Sequence, residues 1–175
     1  LFERNKGYYF GTDSNVPSKF SEYYPNFLLS NQHSKASSRI LLCSQADLKA
    51  DHTNHPESFE KFYDWHTQHK VTLLFVQKEE SELLKTRLEL VHTDIGIWDD
   101  DYVVIFKPKP SEKKIHYWFK SYRTLQETEL YVKYYMSLLN QAKLIRLTNN
   151  GIQFDSFSPN DKNIILNRLK SLWNI

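Results

Sequence analysis

A chain of 175 residues, 40% hydrophobic and 25% charged, has the size and make-up of a single folded domain; its 4 glycines and 6 prolines argue against long low-complexity stretches. The formal charge of +2, with lysines mixed among glutamates, lacks the basic stripe of a nucleic-acid surface, and no apolar run approaches the ~20 residues that span a bilayer. A single cysteine, Cys43, rules out an internal disulfide, and with no secretory pattern in the opening residues the expected location is cytoplasmic. An aromatic share of 15% predicts a core built largely from Tyr and Phe.

In chain order, Gly7-Tyr8-Tyr9-Phe10-Gly11-Thr12 reads as a short aromatic strand. Asp13 and Ser14 can cap a helix from near Val16, in which Phe20, Tyr23, Tyr24 and Phe27 fall at helical spacing and Pro25 divides the run. Asn31 to Ser38 is polar and loop-like. Arg39 to Ser44 is a short apolar run, as expected of a strand covered on both faces. The stretch through Asp51, His52, Asn54 and His55 is expected to be a polar loop. Pro56, with Glu57 and Glu60 close behind, marks a helix start, and Phe59, Phe62, Tyr63 and His66 form one buried stripe. Val71 to Val76 is a second buried strand. Strand, helix, strand is a βαβ unit, which predicts parallel strands and a right-handed crossover.

Glu79 to Lys85 reads as a short surface helix. Residues 88 to 107 then hold two β-rich runs around Asp99-Asp100-Asp101, the pattern of a hairpin with a three-residue loop. In the first run Val91, Thr93, Ile95 and Ile97 share one face, and His92, Asp94, Gly96 and Trp98 share the other. Pro108 and Pro110 belong to a loop. Ile115, Tyr117 and Phe119 alternate with His116, Trp118 and Lys120 in a further half-buried strand. Thr124 and Glu127 form a capping box for a helix to about Ala142, in which Leu130, Tyr134, Met136 and Leu138 predict broad burial. Leu144 to Leu147 and Ile152 to Phe157 make a closing hairpin around Asn149-Asn150-Gly151. Ser158 caps a final helix with Pro159 in its first turn and a stripe of Ile165, Leu169, Leu172 and Trp173. The expected organisation is an α/β domain over residues 1–142, with a hairpin and helix at 143–175 packed on the same domain.

The polar face of the first hairpin strand is the candidate binding surface: His92, Asp94 and Trp98, joined by Trp118 on the more polar face of its own strand. The pairs His52-x-x-His55 and His66-x-x-His69 have metal-ligand spacing but no accompanying thiolate, and His66 lies on the apolar stripe, so packed or solvated histidines are expected and no metal or cofactor. Cys43, in mid-strand, reads as a buried inert thiol. The three aspartates read as a solvated turn.

The order strand, helix, strand, short helix, hairpin, strand, helix resembles the phospholipase-D-like fold. Active members carry His-x-Lys, four residues, then Asp; here His92 to Asp99 match that frame, with Asp94 standing where the lysine belongs. In that family the histidine attacks phosphorus and the lysine holds the phosphate, in a site usually shared by two copies of the motif. A lysine roughly 4 Å from a phosphate attracts it by about 4 kcal/mol at an effective dielectric of 20, and an ionised aspartate repels by a similar amount. The resemblance therefore implies a non-catalytic member, similar to the effector domains of TrmB-type transcriptional regulators. It is carried by Tyr9-Phe10-Gly11 through Phe27, by Asp94-Ile95-Gly96-Ile97-Trp98-Asp99, and by the helix from Thr124 to Ala142.

The resemblance, over residues 8–142, implies an α/β fold with a mixed β-sheet flanked by helices; residues 143–175 have no counterpart in it, and their own pattern gives the expected C-terminal helical closure. The implied function is a sensor or regulatory domain of an intracellular microbial protein. Its partners would be a small-molecule effector or a protein, with a homodimer and a DNA-binding domain ahead of Leu1 in view. Two alternatives stand beside it: a divergent phosphodiesterase or nuclease using His92 and Asp99, and an interaction module of a larger signalling or defence protein.

Overall fold

The computed structural model describes residues 2–3, 37–68, 70–90, 95–98, 102–108, 115–120 and 126–173. Strands β2 (Ser37–Cys43) and β3 (Val71–Gln77) run parallel, with Ser37 opposite Val71 and Cys43 opposite Gln77. Parallel neighbours need a crossover. It is supplied by two helices, α1 (Gln45–Asn54) and α2 (Pro56–Gln68). Both faces of the strand pair are covered, so their sequences run apolar without alternation.

Helix α1 replaces the polar loop expected around Asp51 to His55. Ser44 caps it, its Oγ accepting a hydrogen bond from the Asp47 amide at 3.0 Å. Leu48 is the one residue α1 buries, so the helix has no apolar stripe for periodicity to reveal. Helix α2, by contrast, buries Phe59, Phe62 and His66 as its spacing predicts.

The other side of β3 is taken by β7 (Lys143–Thr148), antiparallel, with Leu74 opposite Leu144; β8 (Gly151–Ser156) completes a four-stranded mixed sheet in the order β2-β3-β7-β8. Residues 143–156 are thus hydrogen-bonded into the sheet. The β7–β8 connection is the two residues Asn149-Asn150, since Thr148 pairs with Gly151. Gly151 sits at φ +96, where a side chain would be strained.

Strands β1 (Phe2–Glu3), β4 (Ile95–Trp98), β5 (Tyr102–Pro108) and β6 (Ile115–Lys120) form a second sheet, wholly antiparallel, in the order β1-β4-β5-β6. Its edge strand β1 also runs beside β2, so the two sheets adjoin there. The single mixed sheet expected to contain the hairpin is therefore two four-stranded sheets. β2 and β7 take both edges of β3, so the hairpin strands pair with β1 and with each other instead.

Alternate residues of β2 and β3 feed two cores. Leu41, Cys43, Leu73 and Phe75 pack with Leu48, Phe59, Phe62, Ile145 and Ile152 beneath α1 and α2. Ile40, Leu42, Leu74 and Val76 face the opposite layer, made by α3 (Lys78–Arg87), α4 (Gln126–Gln141) and α5 (Pro159–Trp173). Helix α4 buries Tyr131, Val132, Tyr134, Tyr135, Leu138 and Leu139, a double-width stripe that matches its place between α3 and α5. Ile165 and Leu169 of the predicted α5 stripe are buried, with Leu166 beside them. Each such side chain contributes about 1.5–3 kcal/mol of transfer free energy.

Helix α3 ends at Arg87; just beyond it Glu89, with a φ of 54, turns the chain into the left-handed region, and the Leu90 amide donates back to the Lys85 carbonyl at 3.0 Å. Leu90 then enters the core against which Leu84 packs. The aromatic strand at 7–12, the helix from Val16 to Phe27 and the Thr124 cap lie outside the described residues.

Candidate functional site

The hairpin expected to carry the site is present, with Trp98 opposite Tyr102. Ile97 is fully buried, in the core that also holds the inward side chains of α4 and α5, which fixes the inward face of β4. Rows of paired residues in an antiparallel sheet alternate between its faces. Ile97-Val103-Lys120 and Ile95-Ile105-Trp118 have one parity; Gly96-Val104-Phe119 and Trp98-Tyr102 have the other. Trp98 and Trp118 therefore stand in rows of opposite parity, so a ligand approaching one face of this sheet meets one of the two positions. Trp118 shares its parity with Ile97. His92, Asp94 and Asp99 lie outside the described residues.

Sequence reasoning overlooked a polar group at the head of β2. Ser38 and Arg39, consecutive in the strand, reach opposite faces of the mixed sheet. On the α4 side the Ser38 and Tyr135 hydroxyls lie 2.5 Å apart, both buried. On the α2 side Arg39, 1% exposed, places Nη1 3.1 Å from Nε2 of His66, itself fully buried. His66 Nδ1 lies 2.6 Å from the carbonyl oxygen of Phe62, one turn earlier. A carbonyl oxygen only accepts and a guanidinium only donates. The imidazole is therefore neutral, with its proton on Nδ1 donated to Phe62 and its Nε2 lone pair turned to Arg39. Both ring nitrogens are engaged within the protein, and the pair ties α2 to β2. The signal in the sequence was an arginine opening an apolar run, with a histidine on the stripe of the next helix. His69, the other member of the His66-x-x-His69 pair, lies outside the described residues.

At the far end of β2 the chemistry is acidic. Asp47 and Asp51 are one turn apart on α1, near Cys43 at the strand's end. Burial, and then the charges of Asp47 and Asp51, push the Cys43 thiol up to about 12, so it is not a thiolate at neutral pH. This is the buried, inert cysteine expected, although it closes β2 rather than sitting in mid-strand. Burial and the Asp47 charge push Asp51 up to about 6, against a downward pull from His55. Asp51 thus exchanges its proton close to neutrality. His52 sets its ring edge-on to Phe59, the ring centres 5.3 Å apart. Among the described residues no group of three His, Cys, Asp or Glu side chains could hold a metal ion, and no helix is long and apolar enough to cross a membrane.

No protein-family model, curated protein or solved structure matches the chain. Chemistry alone therefore distinguishes three regions among the described residues. The Arg39–His66 pair is closed to solvent and structural. The Asp51 carboxyl of α1 can bind and release a proton. The hairpin sheet offers rows that alternate between a core-facing parity and its opposite.

Proposed function

We propose that the chain is a non-enzymatic sensor or regulatory domain that receives a small-molecule effector or a partner protein on the hairpin sheet, at His92, Asp94 and Trp98. The finer form of this reading is a phospholipase-D-like effector domain of a transcriptional regulator that acts as a homodimer. The observation that carries it is the commitment of Ile97 to the core, since Gly96 and Trp98, its neighbours on β4, belong to rows of the other parity. His92 and Asp94 continue the Gly96 and Trp98 positions in the two-residue period of the motif. The acid at position 94, where phosphoryl transfer would require a cation, supports binding over catalysis. A ligand that prefers one arrangement of the domain shifts a conformational or subunit equilibrium, and an attached domain would read that shift.

The test pairs binding with turnover. Purified wild-type protein and the His92→Ala and Asp94→Ala variants are screened by thermal shift against a panel of small metabolites and assayed for cleavage of bis(4-nitrophenyl) phosphate. The expected result is a melting-temperature rise with at least one ligand in the wild type, lost in both variants, and no phosphodiester cleavage by any of them. Cleavage by the wild type that disappears in His92→Ala would overturn the proposal in favour of a divergent phosphodiesterase.

A further inference from the structure

We draw no further inference here: the strongest candidate, the aromatic register rows of the hairpin sheet at Trp98, Tyr102, Phe106, Tyr117 and Phe119, is a sheet face for which nothing in the structure shows what covers it.

Discussion

Helices α1 and α2 lie in the same crossover and cover the same face of the mixed sheet, yet they are held in different ways. Helix α2 inserts Phe59, Phe62 and His66 and is bonded to β2 through Arg39. Helix α1 inserts Leu48 alone, depends on a serine cap, and carries two carboxyl groups whose charges repel. One helix is fixed by packing and a buried polar bond; the other is held by a single anchor and responds to pH. Elements with few buried contacts open at lower free energy than those rooted in the core. Of the two, α1 is therefore the more easily displaced.

The largest expected effect tests the firm helix. His66→Ala removes the neutral acceptor of a buried guanidinium hydrogen bond, which costs about 1–3 kcal/mol, and the cavity left by the buried ring adds to that. Urea unfolding should show a loss at least that large, and a loss below about 1 kcal/mol would mean that α2 is held no better than α1. Next comes the anchor of the weaker helix. Leu48→Ala should cost about 2–5 kcal/mol. Hydrogen exchange should quicken at the α1 amides before those of α2, and equal acceleration in both would abolish the distinction.

The cap sets a smaller term. Ser44→Ala should destabilise by about 0.5–2 kcal/mol, with Ser44→Thr retaining most of the stability. Chemical denaturation of the two variants separates the hydroxyl's role from that of side-chain volume.

The smallest effect concerns Asp51. Its folded pKa of about 6 lies above the ordinary 3.8, so the folded state binds the proton more tightly than the unfolded chain does. The protonated carboxyl favours folding; this contribution is complete below about pH 4 and lost as pH rises through about 6. Because Asp51 is only partly buried, solvent screening holds the effect to about 1 kcal/mol or less. Asp51→Asn should stabilise the protein slightly at pH 7 and flatten its stability profile between pH 4 and about 6. A profile unchanged by the substitution would remove Asp51 as the source.

Much of the architecture was legible because it is local. Pro56 opens α2, Ser158 and Pro159 open α5, and the apolar runs at 39–44 and 71–76 mark the two parallel strands. The turn at Asn149-Asn150-Gly151 is where its residue types place it. Helix α1 was not legible, since one buried leucine makes no period. Of the candidate site, the alternation along β4 could be read from the sequence, and Ile97 takes the inward role assigned to it. The relation of Trp98 to Trp118 could not, because parity across strands depends on which residues pair.

Apart from β1 and α1, the sequence by itself marked out the described elements and the apolar stripes of α2 and α5, because these depend on spacing within a few turns or strand residues. The tertiary structure alone decided that β3 gives its second edge to β7, that the hairpin belongs to a separate antiparallel sheet, and that Arg39 is buried against His66. A pattern of apolar residues specifies that a surface must be covered. Which distant segment covers it depends on a competition among partners far apart in the chain, and no local spacing records the outcome.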